Sequence, residues 1–414
     1  LPRLTELSYK RTRETRGYMI FQTLDDKSEC IGVYSDGKLH FDSIPTGLSK
    51  TWKYTGSIQD PDIEYAWLRC GGQKLQDVCP ESLKEDFTEL QKTFRAYLKS
   101  FQIAKIDLHQ NCFFDLVPSD FLLEFCEMRN KITEHVFSTQ DKPENYDHLD
   151  RAYKLIHKLS YQKLNVNLDD CRNLMTSTVD RQEIQRLVKK KSHYVDYNLF
   201  GTVTGRLTTK KDSFPVLNMK SKLRSVVKPT NDWLVSFDYN GAEVRTFLAL
   251  SGVEQPEEDI HQWNMEHLYG DHPIDREEAK VRFFASFYNN EDNSLKNSVY
   301  SRDRVTGDYF YGDRVETTFK RKIKVDQRRA FNYIIQSTTA DLTIDRAVEL
   351  DKMLENTKSK VSFIVHDEIV LDIHEEDRYL ILELKEVFQN NKLGSFRVNV
   401  KAGKNYGDLK ELKL

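Results

Sequence analysis

Asp238 is the first residue whose type and position could support chemistry. It follows the apolar run 234–237, which predicts a short strand, and a helical pattern resumes through Val244 and Phe247. A carboxylate at the end of a strand can face a cleft and bind a metal ion. An aspartate in this position is more often a helix N-cap, which is the alternative.

A second acidic group separates two apolar runs, 361–365 and 369–371. The residues between the runs are His366, Asp367 and Glu368. A hairpin with a charged turn is one interpretation, but such turns normally contain Asn-Gly, Asp-Gly or a glycine pair. Asp367 together with Asp238 would instead form the hard-oxygen site that Mg²⁺ prefers.

Four residues at steps of four predict one face of a helix. They are Arg276, Lys280, Phe284 and Tyr288, so the face carries two cations and two aromatic rings. Cations bind phosphates, and aromatic side chains stack on bases. This pattern therefore indicates a nucleotide or nucleic acid ligand.

A second polar stripe consists of Arg328, Asn332 and Gln336, which also step by four. It lies beside the apolar residues Ile334 and Ile335, so the predicted helix has a buried side and a polar side. The polar side suits contacts with a nucleic acid template, and a solvated face is the alternative.

Strands and helices must position these motifs. The strand-like runs are 18–24, 30–34 and 38–44, and the helical patterns are 81–101, a helix after Pro118 with Ser119 or Asp120 as N-cap, and 147–191. From residue 194 the pattern changes to strands and turns, and 289–316 is predicted to be weakly structured. Residues 32–39 nearly fit a P-loop, but Leu39 replaces the required Ser or Thr, so we predict a hairpin turn at 35–37.

Composition narrows the class of protein. The chain has 414 residues, and its 23 Phe and 20 Tyr supply a core that disordered chains lack. Its net charge of -3 does not indicate nucleic acid binding, although phosphates respond to local patches rather than to the total. Six cysteines without a C-x-x-C pair indicate thiols in a reducing cytosol. No apolar run could span a bilayer, so we expect a cytoplasmic protein without a membrane partner.

These segments together resemble the family A DNA polymerases, the group of bacterial repair polymerases and many phage replicases. Residues 238–245 resemble motif A, the stripe from Arg276 to Tyr288 resembles motif B, and 365–368 resemble motif C. Further matches are 204–208, 223–224, 259–261 and 328–338, and all occur in the order of the family. The resemblance is close over 194–414 and loose over 116–193.

The resemblance implies an α+β fold with the palm, fingers and thumb of a right-hand polymerase, preceded by a small α/β region. The expected domains are 1–115 (the N-terminal α/β region, either an exonuclease remnant or a docking module), 116–200 (thumb), 201–253 (first part of the palm), 254–345 (fingers) and 346–414 (second part of the palm).

The resemblance also implies template-directed DNA synthesis, in which dNTPs are added to the 3′-hydroxyl of a primer on primer–template DNA. Two Mg²⁺ ions bound by Asp238 and Asp367 would act in the phosphoryl transfer, Glu368 would support them, and Lys280 would protonate the leaving pyrophosphate. Replisome proteins are candidate partners. A phage-encoded enzyme would work in the cytoplasm of its bacterial host.

Residue roles follow from the same resemblance. Glu243 resembles the steric gate that excludes a ribose 2′-hydroxyl, and Phe284 resembles the aromatic residue that sets 3′-deoxy discrimination, where Tyr admits dideoxynucleotides. The expected substrate contacts are Glu243, His261, Arg276, Lys280, Phe284 and Tyr288, and the expected DNA contacts are Arg206, Arg224, Arg328, Asn332, Gln336 and His366. The lysines at 189–191, 210 and 211 either contact phosphates or form a solvated face.

The chain departs from the family pattern at three points. Gly241 stands where the family usually has Gln, Asn289 stands where Gly normally follows the fingers Tyr, and the stretch from Tyr288 to Arg328 is short. These departures imply shorter fingers and altered fidelity, but they do not imply a different reaction.

Proofreading is expected to be absent. The early D-x-E sequence, Asp62-Ile63-Glu64, follows Gln-Asp-Pro rather than an apolar strand, so we predict a loop. Two other functions stay open. A single-subunit RNA polymerase would not be expected to have Glu243, and a non-catalytic, polymerase-like accessory subunit would be expected to lack Asp238 and Asp367.

Overall fold

The computed structural model describes residues 19–26, 29–41, 43–108, 111–169, 177–189, 193–270, 274–289 and 299–413. The chain divides into two compact units, Leu1–Asp150 and Arg151–Leu414. Within the described ranges, no helix is both long and apolar enough to cross a membrane.

The first unit contains a five-stranded mixed sheet. Its strands are β1 (Met19–Asp26), β2 (Glu29–Ser35), β3 (Lys38–His40), β4 (Leu48–Thr51) and β5 (Glu64–Tyr65), in the order β3-β2-β1-β4-β5. The first three strands are antiparallel neighbours, whereas β4 and β5 are parallel to β1. Asp36 and Gly37 join β2 to β3 with φ angles of 48° and 74°, which a two-residue hairpin turn requires, so the predicted turn is confirmed.

The first unit also contains helices. They are α1 (Ala66–Arg69), α2 (Leu75–Val78), α3 (Lys84–Ile103) and α4 (Ser119–Thr139). The two long helices confirm the predicted patterns, and α4 packs on β1. The predicted N-cap, Ser119 or Asp120, is wrong. Pro118 is the N-cap, because its fixed φ of -62° with an extended ψ allows the helix to begin at the next residue.

The second unit is built on a five-stranded antiparallel sheet. Strands of this unit are β6 (Asn165–Val166), β7 (Tyr197–Asn198), β8 (Thr208–Thr209), β9 (Val227–Lys228), β10 (Trp233–Tyr239), β11 (Arg314–Glu316), β12 (Lys322–Lys324), β13 (Lys360–Val365), β14 (Glu368–Ile373), β15 (Asn390–Asn391), β16 (Gly394–Ser395), β17 (Val398–Gly403) and β18 (Lys410–Glu411). The central sheet has the order β13-β14-β10-β17-β18, with β10 in the middle. Strands β10, β13 and β14 are largely buried, and helices of the same unit contact them.

The remaining helices are α5 (Tyr146–Ser160), α6 (Thr178–Lys189), α7 (Ala242–Leu250), α8 (Ile260–Tyr269), α9 (Arg276–Tyr288), α10 (Arg302–Tyr309), α11 (Gln327–Met353) and α12 (Ile381–Gln389). A shared aromatic core fixes α7, α9 and α11 together. The ring of Phe331 lies 4.7 Å from that of Phe247 and 5.4 Å from that of Phe287, measured between centroids. These three helices carry most of the predicted site residues.

Two predicted segments differ from the structure. The helical pattern over 147–191 is confirmed for α5 and α6, but 161–167 is not helical because β6 pairs there with β9. The weak structure predicted for 289–316 is wrong for 302–309 and 314–316, which form α10 and β11. Buried Val305 and Val315 anchor these two elements. Residues 290–298 lie outside the described residues.

The described cysteines agree with the prediction of thiols. Cys70, Cys79, Cys112 and Cys126 form no disulfide, and burial raises the pKa of the Cys70 and Cys126 thiols to about 11. Cys171 and the side chain of Cys30 lie outside the described residues.

Candidate active site

The sheet of the second unit brings the two predicted aspartates together. Asp238 on β10 pairs with Glu368, the first residue of β14. Val365 pairs with Glu368 across the β13–β14 hairpin, so the turn consists of His366 and Asp367 alone. The antiparallel register therefore places Asp367 next to the strand partner of Asp238. The N-cap alternative for Asp238 does not apply, because Gly241 is the N-cap of α7.

Both aspartates lie in surroundings that disfavour their negative charge. Burial raises the pKa of Asp238 to about 7, and the charges of Asp367 and Glu368 add to this effect. Lys401 and a hydrogen bond from Asn399 oppose the shift only in part. Burial also raises the pKa of Asp367. Asp238 and Asp367 are both half-buried. Carboxylates that repel each other in such surroundings are stabilised by a cation between or beside them.

The donor set fits Mg²⁺, which is commonly held by one or two carboxylates together with substrate phosphates and water. In the described part of the chain, no three His, Cys, Asp or Glu side chains lie close enough to bind an ion by themselves.

Glu368 has both carboxylate oxygens engaged by hydroxyl groups. Ser236 donates to Oε1 at 2.5 Å, and Tyr406 donates to Oε2 at 2.8 Å. These bonds fix Glu368 beside Asp238 within the sheet. The geometry suits a supporting carboxylate, as the sequence predicted, more than a direct metal ligand.

A cavity of about 370 Å³ opens beside the aspartate-bearing turn. Predicted site residues that line it are Arg206, Glu243, Phe284, Tyr288, His366 and Asp367. Thr339 and Thr343 of α11 also line the cavity, and sequence reasoning did not identify them. Thr339 and Thr343 are four residues apart, which is a helical spacing, and they follow the polar stripe along the same helix. This spacing is the sequence signal that could have indicated them. The cavity thus joins five separate segments of the sequence.

Glu243 is held from two sides at this cavity. Tyr288 on α9 donates its hydroxyl to Oε2 at 2.6 Å, and Arg206 forms an ion pair with Oε1. Burial and the charge of Glu243 raise the pKa of Tyr288 above its usual range, so the tyrosine stays a donor. The carboxylate of Glu243 therefore has a fixed orientation toward the cavity.

The predicted stripe on α9 is partly exposed, and its rear face is buried through Ala279, Phe283 and Phe287. Phe284 and Tyr288 stack with ring centroids 6.0 Å apart. Both line the cavity, whereas Arg276 and Lys280 do not. The stripe therefore divides into an aromatic end at the cavity and a basic end near the start of α8.

The basic end is organised by Asp259, the N-cap of α8. Its carboxylate accepts two hydrogen bonds from Arg276, at 3.0 and 2.7 Å, and one from Asn240 at 2.7 Å. Hydrogen bonds from Arg276 and Asn240 hold the pKa of Asp259 well below its usual range, although burial opposes them. Arg276 is therefore fixed beside His261 and Lys280. The contact between Asn240 and Asp259 was not predicted from the sequence.

His261 is buried, and its Nδ1 has no hydrogen-bond partner in the described part of the chain. Burial lowers its pKa to about 4, and the nearby Arg276 and Lys280 charges act in the same direction. The ring is therefore neutral near pH 7 and retains an unused polar atom. Such an atom suits a bound ligand.

The close packing of α8 explains why Gly241 replaces the usual Gln. A Cβ at this position would lie 2.6 Å from Cγ2 of Ile260 and 3.5 Å from Nε2 of His261. Gly241 also has φ of +70°, a conformation that favours glycine. The departure from the family pattern is thus a local packing solution.

The predicted DNA-binding residues are spread over several elements. Arg328 and His366 are exposed, Asn332 and Gln336 are half-buried on α11, and the guanidinium of Arg224 lies 4.9 Å from the centroid of the Tyr406 ring. Among them, Arg206 and His366 line the cavity. The others lie outside it, as contacts with a longer ligand would.

The lysines for which the sequence predicted either phosphate contacts or a solvated face are only partly described. Lys210 pairs with Asp196 at 2.9 Å, and Lys211 is exposed. Lys190, Lys191 and the side chain of Lys189 lie outside the described residues.

The predicted loop over the D-x-E sequence at 62–64 is wrong in part. Asp62 lies in a turn, but Glu64 begins β5, because its backbone pairs with Lys50. The Glu64 side chain forms an ion pair with Arg69 at 3.3 Å.

Comparisons with known proteins agree with this geometry. Residues 300–408 match the sequence model of DNA polymerase family A. The chain is 25% identical over 275 residues to the thermostable DNA polymerase I of Thermus aquaticus. This match covers 50% of this chain and 33% of that protein. It therefore spans about a third of the length of that relative.

A solved structure shares the fold. The POL domain of Pol1 from M. smegmatis, in complex with DNA primer-template and dNTP, superposes with a TM-score of 0.56 at 13% identity, covering 83% of this chain and 81% of that one. The resemblance to family A DNA polymerases and the α+β fold class are thus confirmed.

Proposed function

We propose that this chain, whose residues 300–408 match DNA polymerase family A, is a DNA-directed DNA polymerase that extends a primer with dNTPs. The observation that carries the proposal is the pairing of β10 with the β13–β14 hairpin, which sets half-buried Asp238 beside Asp367. Next to them lies a cavity lined by the aromatic end of α9 and by Glu243.

The proposed reaction is an in-line phosphoryl transfer. A bond forms between the primer 3′-oxygen and the α-phosphorus, the bond to pyrophosphate breaks, and the 3′-hydroxyl loses its proton. Two Mg²⁺ ions held by Asp238 and Asp367 would stabilise charge on the attacking and leaving oxygens. Glu368 keeps the neighbouring strand in place through its bonds to Ser236 and Tyr406. Lys280 supplies a proton to the leaving pyrophosphate.

The basic end of α9 would bind the triphosphate. Arg276, Lys280 and His261 lie close enough to influence one another electrostatically, and Asp259 fixes the Arg276 guanidinium. Positioning and neutralisation of phosphate charge are the main contributions a protein makes to this class of reaction.

Primer–template DNA would extend from the cavity along α11 and the β13–β14 turn. Arg206, Arg224, Arg328, Asn332, Gln336 and His366 are the proposed contacts. In this proposal the central sheet belongs to the palm (201–253 and 346–414), α9 to the fingers (254–345), and 116–200 to the thumb. The boundary after Asp150 falls inside that thumb segment. Replisome proteins and a bacterial host cytoplasm remain part of the proposal.

Absence of proofreading is proposed on one observation in the first unit. Glu64, the second acidic residue of the early D-x-E sequence, forms an ion pair with Arg69 at 3.3 Å. An exonuclease that uses metal ions would need this carboxylate for the metal. Residues 1–115 would then be an exonuclease remnant or a docking module.

Primer extension tests the function directly. A 5′-labelled primer, either matched or carrying a 3′ mismatch, is annealed to a template and incubated with the purified chain. We expect template-directed extension of the matched primer when dNTPs and Mg²⁺ are present, and none after chelation. We also expect no shortening of the mismatched primer when dNTPs are omitted.

Each arm of this assay can contradict one part of the proposal. Absence of extension with Mg²⁺ would overturn the polymerase function and favour the accessory subunit. Preference for rNTPs over dNTPs would favour an RNA polymerase. Shortening of the mismatched primer would overturn the absence of proofreading.

Phe284→Tyr is expected to increase the incorporation of dideoxynucleotides. Phe284 lines the cavity and stacks on Tyr288, so an added hydroxyl would enter the space where the sugar is proposed to bind. One hydrogen bond can change discrimination by about tenfold or more. Chain termination at a fixed ddNTP to dNTP ratio measures the effect, with Phe319→Tyr as a control outside the cavity lining. Equal termination by Phe284→Tyr and the unmodified chain would refute this role of Phe284.

A further inference from the structure

A buried ion pair lies behind the turn that carries Arg206. Arg321, just before β12, donates two hydrogen bonds to Asp341 of α11, at 2.9 and 2.6 Å. Asp341 is fully buried, and Arg321 is 7% exposed. Because the pair is buried, it does not contribute to the solubility of the protein surface. Removal of one partner would leave the other charge buried and unpaired.

The guanidinium of Arg321 lies directly against Gly205. A Cβ on Gly205 would lie 2.6 Å from both Cζ and Nη2 of Arg321. Gly205 has φ of +79°, so it occupies a backbone conformation that glycine favours. Because Asp341 holds the guanidinium by two bonds, the surface under Gly205 is rigid.

The turn itself is closed by short-range bonds. The amide of Gly205 donates to the carbonyl of Thr202 at 3.3 Å, and the Thr202 hydroxyl donates to the carbonyl of Arg206 at 3.0 Å. The side chain of Arg206 then reaches Glu243, which also accepts from Tyr288. A continuous series of contacts therefore runs from Asp341 through Arg321 and the turn to Glu243.

We infer that Arg321 and Asp341 are positioning residues for sugar selection, acting through the 202–206 turn on Arg206 and thereby on Glu243. The inference rests on the proposed polymerase function. The pair does not line the cavity, so it acts by orientation and not by contact with the nucleotide. With the pair in place, Arg206 keeps one oxygen of Glu243 fixed while Tyr288 keeps the other.

The test removes both charges together, because a single substitution would leave a buried charge unpaired. The variant Arg321→Met with Asp341→Leu is compared with the unmodified full chain. The ratio of kcat/KM for dNTP to that for the matching rNTP is measured on primer–template DNA. We expect the ratio to fall about tenfold, the effect of losing one hydrogen bond to a charged group, while dNTP incorporation persists.

The matched control removes an exposed pair of the same unit, Lys358→Met with Glu376→Leu, whose side chains are 57% and 67% exposed. It should leave the dNTP to rNTP ratio unchanged, and an equal fall in the control would overturn the inference. If the pair acts through Arg206, adding Arg206→Ala to the double variant should not lower the dNTP to rNTP ratio further. If their effects on the ratio multiply, the pair does not act through Arg206 and the inference is wrong.

A second variant covers the case in which the double variant fails to fold. Gly205→Ala keeps both charges but pushes on the guanidinium and strains the turn, so it should lower the same ratio. An unchanged ratio in Gly205→Ala would overturn the inference while leaving the polymerase function intact. Absence of dNTP incorporation by the unmodified chain would overturn both.

Discussion

Asp367→Ala is expected to lower primer extension by about 10³-fold or more, since a group that stabilises charge in the transition state has effects of this size or larger. Asp238→Asn should have a similar effect, because Asp238 pairs with Glu368, the residue that follows Asp367 at the β13–β14 turn. Single-turnover extension with saturating dNTP and Mg²⁺ measures the loss.

The loss should occur without unfolding. Asp238 is half-buried beside two other carboxylates, so its replacement by a neutral amide removes a repulsive charge. We therefore expect Asp238→Asn to raise the Tm of the metal-free chain and to reduce the further rise that Mg²⁺ produces in the unmodified chain.

Glu383→Gln is the matched control for both variants. Glu383 is an exposed carboxylate on α12 of the same unit, away from the cavity lining, so its extension rate and Tm should match those of the unmodified chain. Full extension activity in Asp367→Ala or Asp238→Asn would remove the basis of the proposed mechanism.

Glu243→Ala is expected to lower the preference for dNTPs over rNTPs by about 10²-fold, the scale on which a pocket discriminates a substrate by one group. Glu243 is fixed at the cavity by Arg206 and Tyr288. In its proposed role, this carboxylate excludes a ribose 2′-hydroxyl. The kcat/KM values for a dNTP and its matching rNTP, measured at the same template position, give the ratio.

Glu243→Gln separates size from charge. It keeps the volume and can still accept from Tyr288, but it loses the ion pair with Arg206. We expect a fall in the ratio between those of the unmodified chain and Glu243→Ala. If Glu243→Ala discriminates as strongly as the unmodified chain, the steric role of Glu243 is wrong, whatever the result for Glu243→Gln.

The site could be predicted from the sequence where chemistry is concentrated in short motifs. Asp238 and Asp367 stand out because polar residues interrupt apolar strands, and the α9 stripe stands out because its spacing is helical. Such signals are local. They predict which residues could face a ligand without showing which strands become neighbours.

What the sequence missed depends on contacts between distant segments. The order β13-β14-β10-β17-β18 and the bond from Asn240 to Asp259 have no local signature. Helix α10 was missed because Val305 alone among its residues is buried, so its sequence is polar and lacks a helical stripe. The wrong N-cap of α4 arose because Pro118 can begin a helix without a side-chain bond.

The close approach of α8 to Gly241 has a consequence for sequence change. With Cγ2 of Ile260 only 2.6 Å from where a Cβ would stand, residue 241 cannot acquire a side chain while α8 keeps its place. Glutamine could return to this position only together with a smaller residue at 260 or an outward shift of the helix that bears His261. A side chain at residue 241 thus requires a compensating change in α8, so these two segments must change together.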